Sequence, residues 1–273
     1  MTNYDPVYLS INDNPRDIVA ALDDLTARRS RTQSAYQGRA WLPVAIALGG
    51  VFFCALDFIL GYSGSFFIGL GVGLLVVALV TWFLLRRRSV DQPLSPHFDT
   101  ARDVFHTLRD DVAPKKFFFG HIDLTGTQQN SKVARTATNA LGRQVSYYRD
   151  EWLSLKTKLY DGNMLRCSAQ RRMKIRDSYL KRSMSGKLKT KPALIKDDVQ
   201  VLSVRLSVNP QMYAIAPQTL KPGARAGRYT IEQCQTDGGI VSVVAQAHVG
   251  LIEAADVLGV LRLLYDQLQR KTA

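Results

Sequence analysis

The sequence predicts a membrane protein in which a two-helix transmembrane hairpin carries a cytoplasmic α+β domain. Two apolar runs, each roughly the ~20 residues that cross a bilayer as a helix, predict the hairpin. The short uncharged connector between them requires an antiparallel return. After residue 115 the apolar pattern changes from helical spacing to alternation, which predicts a mainly antiparallel sheet of about six strands and a C-terminal helix.

The composition is consistent with a chain that needs neither disulfides nor metals. The 273 residues carry a net charge of +13 and three cysteines. Cys54, Cys167 and Cys234 are widely separated and match neither a disulfide framework nor a metal-binding spacing. A signal peptide is not predicted, because the sequence near Met1 contains no apolar segment of the kind that it requires. The predicted parts are an N-terminal segment with a short amphipathic helix (1–40), the transmembrane hairpin (41–85), a linker and helix (86–114) and the β-rich domain (115–273).

The hairpin consists of the runs Trp41–Leu60 and Phe66–Leu85. Arginines flank the outer end of each run, so the positive-inside rule predicts both termini on the cytoplasmic side of a cell or inner membrane. Gly69 and Gly73 have the GxxxG spacing that allows close helix packing, within the hairpin or between protomers. Asp57 is an intramembrane carboxylate, for which an interfacial position is favoured over an ion or proton pathway.

Capping residues predict the helices on either side. Asn14 and Pro15 begin a helix before the first apolar run, and Asp99 begins another that ends before Pro114. The last helix is predicted to cover one face of the sheet with an apolar stripe of Ala254, Val257, Leu258, Leu261, Leu264, Tyr265 and Leu268.

Alternation predicts the strands and one register. The predicted strands are Phe117–Leu124, both arms of a hairpin turning at Asp161–Asn163, Asp197–Val208, and a second hairpin around Thr236–Gly239, with a loop at 125–142. A three-residue turn that pairs Leu159 with Leu165 keeps the apolar side chains of both arms on one face. The same register places Trp152 opposite Arg172.

Positive charge is concentrated in the predicted sheet. Residues 166–196 contain eleven lysines and arginines and one acid, Asp177. Alternation turns most of these cations away from the core, and the basic run after Leu180 is predicted as a mobile loop. Arg171 alone turns inward, so it needs a specific partner. The predicted anion-binding residues are Lys156, Lys158, Arg166, Arg172, Lys174, Arg176, Lys181, Arg182, Lys187, Lys189 and Lys191.

Three interpretations of this charge remain open. It is a solvated strand face, a surface for anionic lipids, or a site for an acidic protein or a nucleic acid. Nucleic acid is disfavoured because no known recognition pattern is present. Membrane lipids and a protein partner or second copy of the chain are the expected partners.

No motif predicts catalysis, a cofactor or a metal site. Alternation turns Cys167 inward, so it is predicted to be a core residue. His121 is the one histidine with a carboxylate, that of Asp123, two residues away on the same strand face. The leading hypothesis is a non-enzymatic integral membrane protein whose basic domain contacts an anionic membrane surface or a protein, including as a subunit of a membrane complex. The alternatives are an enzyme or small-ligand module with a cleft between sheet and C-terminal helix, and an oligomeric channel built from the hairpin.

Overall fold

The structure is a computed structural model that describes residues 7–39, 41–60, 66–88, 95–113, 115–182, 184, 186–216 and 220–271. Within those ranges it does not describe the side chains of 29, 32–39, 57–60, 66, 67 and 85–88. The chain divides into two compact units, one formed by Met1–Ala20 with Pro93–Ala273 and the other by Ala21–Gln92.

A large antiparallel sheet dominates the first unit. The strands are β1 (Tyr8–Asp13), β2 (Phe118–Asp123), β3 (Val133–Thr138), β4 (Gln144–Lys158), β5 (Met164–Arg176), β6 (Tyr179–Arg182), β7 (Leu188–Lys191), β8 (Leu194–Ser207), β9 (Tyr213–Ile215), β10 (Arg225–Ala226), β11 (Tyr229–Asp237), β12 (Ile240–Ala247) and β13 (Leu268–Arg270). Nine strands form the main sheet in the order β1-β2-β4-β5-β8-β12-β11-β10, with β3 paired to β4. The strands β6 with β7 and β9 with β13 form two small sheets.

Five α-helices accompany the strands in the described residues. They are α1 (Pro15–Arg39), α2 (Leu42–Leu60), α3 (Phe66–Arg88), α4 (His97–Leu108) and α5 (Ala254–Tyr265). The predicted terminal helix is confirmed as α5, and its predicted stripe supplies Val257, Leu261 and Leu264 to the core. A capping box formed by Glu253 and Asp256 fixes the start of this helix.

The core lies between one face of the main sheet and the helices α4 and α5. Every second residue of the central strands is buried on this face, as period-two alternation requires. Representative members are Leu155, Cys167, Val204 and Val243, which lie side by side on β4, β5, β8 and β12. Cys167 is therefore a core residue, as predicted, and burial raises the pKa of its thiol to about 12.

The register of the first hairpin differs in detail from the prediction. A three-residue turn is present, but it comprises residues 160–162, because Leu159 donates its N–H to the Asn163 carbonyl. The strands then pair Thr157 with Leu165. This shifts the turn by one residue and leaves the parity of the pairing unchanged, so the apolar side chains still share one face.

A β-bulge at Trp152 overturns the predicted pairing of this residue with Arg172. The register shifts between Glu151 and Leu153, and Arg149 is the residue opposite Arg172. Trp152 instead turns into the core, where it is fully buried. Bulges insert one residue into a strand and so reverse the side-chain alternation beyond them.

Seven of the described strands lie where no strand was predicted, namely β1, β3, β6, β7, β9, β10 and β13. β1 pairs with β2 at the edge of the sheet, and β3, within the predicted loop 125–142, pairs with β4. The basic run after Leu180, predicted as a mobile loop, contains most of the hairpin formed by β6 and β7. Polar and charged side chains on both faces of these segments conceal the alternation that marks a half-buried strand.

The predicted transmembrane hairpin is wrong. Within the described residues, no helix has both the length and the apolar content needed to cross a membrane. A crossing helix requires about 20 consecutive apolar residues to match ~30 Å of hydrocarbon. The predictions that depended on the hairpin are corrected with it: the membrane anchor, the membrane-complex subunit, the hairpin channel, and the cell- or inner-membrane location with cytoplasmic termini.

The second unit contains α2 and α3, which pack closely through two other glycines than those predicted. A Cβ on Gly71 would lie 2.7 Å from the Gly50 carbonyl oxygen and would also overlap the sulfur of Cys54. A Cβ on Gly69 or Gly73 would meet nothing within 4 Å. Gly50 and Gly71 therefore set the helix contact. Asp57 belongs to α2, and its side chain lies outside the described residues.

Candidate anion-binding site

Three cations stand directly side by side on the face of the main sheet opposite the core. Lys156 on β4 pairs with Arg166 on β5, and Arg166 pairs with Arg205 on β8. All three side chains are exposed. In the described part of the chain, none of them forms an ion pair. Directly opposed side chains have Cβ atoms about 4.5–5.5 Å apart, so the row concentrates positive charge across three strands.

A row of serines runs beside the cations. Ser154, Ser168 and Ser203 are mutually opposed on the same three strands. Their hydroxyls make no hydrogen bond to another described residue. Hydroxyls can donate to phosphate or carboxylate oxygens, so this row extends the set of groups available to an anion.

Aromatic side chains on β2 and immediately before it border the cations. Phe119 lies directly opposite Lys156. The ring of Phe117 lies beside the ring of Phe119, with the two centroids 6.4 Å apart. Both rings are nearly half exposed, at 45% for Phe117 and 46% for Phe119. Next along the strand, His121 stacks on Tyr8 with centroids 5.7 Å apart. We call the surface made of Phe117, Phe119, Ser154, Lys156, Arg166, Ser168, Ser203 and Arg205 the open face.

Gly120 allows β2 to approach β4 closely enough to place Phe119 there. Its φ of +148° is unfavourable for a residue with a side chain. A Cβ at this position would overlap the Ser154 carbonyl oxygen. The glycine between Phe119 and His121 is therefore required for this strand pairing.

The other predicted cations lie on the same sheet face or on the hairpin that follows it. Lys158 is exposed opposite Met164, and Arg172 is exposed and donates from Nε to Gln170. Lys174 and Arg176 line a separate cavity. The exposed hairpin of β6 and β7 carries Lys181, Arg182, Lys187, Lys189 and Lys191, with Lys181 opposite Lys189. The predicted anion-binding cations therefore lie in three separate places: the sheet face opposite the core, the cavity at Lys174 and Arg176, and the hairpin of β6 and β7.

The separate cavity has a volume of about 420 Å³ and lies at the far end of β5. It is lined by Asn139, Val145, Lys174, Arg176, Lys196 and Asp197. Arg176 stacks on the ring of Tyr179, with its guanidinium carbon 4.8 Å from the ring centroid. Three cations against one carboxylate make this cavity electropositive.

Arg171 is the inward-facing cation, and its partner is Asp198. Its Nε and Nη2 donate to the two carboxylate oxygens at 2.8 and 2.5 Å, which is the bidentate geometry of a strong ion pair. The prediction that this arginine needs a specific partner is confirmed. Because its charge is matched, Arg171 contributes little to the field at the open face.

Nearby, Lys132 bridges two carboxylates. Its Nζ lies 2.9 Å from Asp123 and 2.6 Å from the buried Asp150. Burial alone would raise the pKa of Asp123, but hydrogen bonds from Thr125 and Lys132 outweigh it and lower that pKa. Asp123 is thus a structural acid, and His121 stacks on Tyr8 instead of joining it in a cleft.

A cleft does exist between α5 and the tip of the first hairpin. Its volume is about 460 Å³, and its walls include Leu159, Leu165 and Leu261. Two carboxylates border it, Asp111 and Asp161, and Asp161 already accepts hydrogen bonds from Asn163 and Tyr265. Neither His121 nor Asp123 is among the residues that line this cleft.

The open face brings cations, hydroxyl groups and aromatic rings together from different strands. No group of three or more His, Cys, Asp or Glu side chains in the described ranges is arranged to hold a metal. Arg205, Phe117, Phe119 and the three serines were missed from the sequence, because only the pairing of distant strands brings them to Lys156 and Arg166. No known protein family, curated protein or solved structure matches the chain.

Proposed function

We propose that this protein binds a polyanionic partner on the open face of its main sheet. The observation that supports this most directly is the row of Lys156, Arg166 and Arg205 on three adjacent strands. Like charges placed directly opposite each other destabilise a sheet. A bound polyanion would replace that repulsion with attraction, and arginine offers a fork of donors suited to phosphate and carboxylate groups.

An extended partner fits better than a small anion, because the cations are distributed over a wide surface. Beyond the central row, positive charge continues through Arg172, the cavity at Lys174 and the hairpin of β6 and β7. A single phosphate can contact only one of these places. A polymer of negative charges can contact several, and each neutralised charge adds to the affinity.

The experiment measures affinity for long-chain inorganic polyphosphate by calorimetry. The test variant is Arg166→Gln with Arg205→Gln, and the matched control is Arg262→Gln with Arg270→Gln. The control arginines are also exposed, but they lie on α5 and β13, away from the open face. Both variants lose the same net charge.

We expect the Arg166/Arg205 variant to bind polyphosphate about tenfold more weakly, and the control to change by less than about twofold. The difference should shrink as salt is added, because bound counterions compete for the same sites. Equal weakening of both variants would show that only total charge matters and would refute a site on the open face.

A further inference from the structure

We propose that the polyanion is a single-stranded nucleic acid, whose phosphates lie along the cation row while its bases stack on Phe117 and Phe119. This inference rests on the proposed function and specifies its ligand. The observation that carries it is the register of β2 with β4, which places an exposed aromatic ring directly opposite the first cation of the row.

The two phenylalanines have no evident role in the core. Their rings are nearly half exposed, whereas Phe118 between them is fully buried beneath the sheet and contacts Phe105. Phe118 therefore performs the packing function of this strand. Two adjacent exposed rings beside a row of cations are the combination used for unpaired bases, since every base offers a face for stacking.

The dimensions of the surface agree with a short single strand. Neighbouring strands lie about 4.8 Å apart, so the row from Phe119 through Lys156 and Arg166 to Arg205 spans roughly 14 Å. At ~3.4 Å per stacked nucleotide, that distance corresponds to about four nucleotides. The parallel row of serine hydroxyls supplies donors to phosphate or sugar oxygens over the same length.

The aromatic border also separates this ligand from the two other polyanions that would satisfy the cations. An acidic protein would contact the two exposed rings through apolar side chains, and that contact would not depend on a nucleobase. A duplex keeps its bases paired and stacked inside, so they are not available to Phe117 and Phe119. Nucleic acid was disfavoured from the sequence because no recognition pattern is present, and the strand pairing supplies the aromatic and cationic groups that the linear order separates.

The experiment compares three ligands on the full chain by fluorescence anisotropy and calorimetry: a fluorescein-labelled dT12 oligonucleotide, the same oligonucleotide paired with dA12 as a duplex, and long-chain polyphosphate. Four variants are measured: Arg166→Gln with Arg205→Gln, Phe117→Leu with Phe119→Leu, Phe119→Tyr, and Tyr160→Leu as control. Tyr160 is an exposed aromatic residue on the tip of the first hairpin, away from the open face. Circular dichroism verifies that each variant is folded.

We expect the phenylalanine variant to bind dT12 at least about tenfold more weakly and polyphosphate unchanged, since stacking requires a base. The arginine variant should weaken both ligands and reduce the slope of log affinity against log salt for dT12 by about 1.4. Phe119→Tyr should retain binding of dT12, because its ring still stacks. The Tyr160 control should match the wild type.

Three outcomes would contradict the inference or the proposed function, and they can be told apart. If the phenylalanine variant binds dT12 as tightly as the wild type while the arginine variant weakens both ligands, the nucleic-acid inference is overturned and the polyanion site stands. If the arginine variant binds both ligands normally, the polyanion site itself is lost. Tighter binding of duplex than of dT12 would also overturn the inference.

Discussion

At the scale of single residues, His97 shows how burial in the core changes the pKa of a titratable side chain. Only 2% of it is exposed, and its ring stacks on Trp152 with centroids 4.5 Å apart. Neither ring nitrogen has a hydrogen-bond partner among the described residues. Burial is the main cause that lowers the pKa of His97 to about 3; the nearby charges of Arg171 and Lys132 act in the same direction, and Asp198 partly opposes them.

The low pKa of His97 predicts that the protein loses stability in mild acid. Between pH 6.5 and pH 3 the unfolded chain protonates His97 while the folded chain does not, so acid favours unfolding. The contribution to the free energy of unfolding is fully present above pH 6.5 and falls by about 1.4 kcal/mol per pH unit below it. We expect His97→Phe to remove this component while keeping a ring against Trp152.

Urea unfolding at pH 7.5 and pH 5.0 measures the effect. The wild type should lose about 2 kcal/mol more than His97→Phe between the two conditions. The control is His248→Phe, which replaces an exposed histidine and should keep the acid sensitivity of the wild type. Identical pH dependence in His97→Phe and wild type would contradict the prediction.

Two residues show when the sequence alone predicts the face of the sheet on which a side chain lies. Strict alternation along β5 identified Arg171 as the inward cation, and it is paired with Asp198. The same reasoning failed for Trp152, because one inserted residue reverses the alternation and nothing in the local sequence marks the bulge. Local pattern thus determines the face of a side chain only within an uninterrupted ladder.

At the scale of elements, turn chemistry and apolar periodicity predicted the central strands β2, β4, β5, β8, β11 and β12 and the helix α5. The short or polar strands β1, β3, β6, β7, β9, β10 and β13 were missed, since they bury too little to show alternation. The order of strands could not be read from periodicity, because pairings such as β5 with β8 depend on contacts between distant segments. Half of the candidate site depends on those pairings.

The contact between α2 and α3 gives a prediction at this scale. Gly71→Leu should force the two helices apart, since even a Cβ there would lie 2.7 Å from the Gly50 carbonyl oxygen. We expect a loss of roughly 1–3 kcal/mol of stability, seen as a lower thermal midpoint by circular dichroism. Gly73→Leu is the matched control, because the space beside Gly73 is open.

If Gly73→Leu lowers the midpoint as much as Gly71→Leu, the loss comes from changing a helical glycine and not from the helix contact. A smaller substitution, Gly71→Ala, should have an intermediate effect because the Cβ alone already overlaps Cys54.

At the scale of the whole molecule, the net charge of +13 is not evenly distributed. The bidentate pair at Arg171 and the bridge at Lys132 neutralise cations near the core, whereas the row at Lys156, Arg166 and Arg205 forms no ion pair with any residue that the structure describes. In the unbound protein, the like charges of this row repel one another. Stability and binding should therefore change in opposite directions when the row is removed.

The last prediction tests that opposition. At low ionic strength, Arg166→Gln with Arg205→Gln should raise the free energy of unfolding of the free protein by about 0.5–1 kcal/mol, because a like-charged cross-strand pair disappears. At about 1 M salt the gain should nearly vanish, since charges are then screened within ~3 Å. Urea unfolding at both salt concentrations gives the comparison, with Arg262→Gln/Arg270→Gln as the control for net charge. A variant that is less stable than the wild type at low salt would mean that the two arginines are held by favourable contacts in the folded protein, and their exposure would then carry no functional meaning.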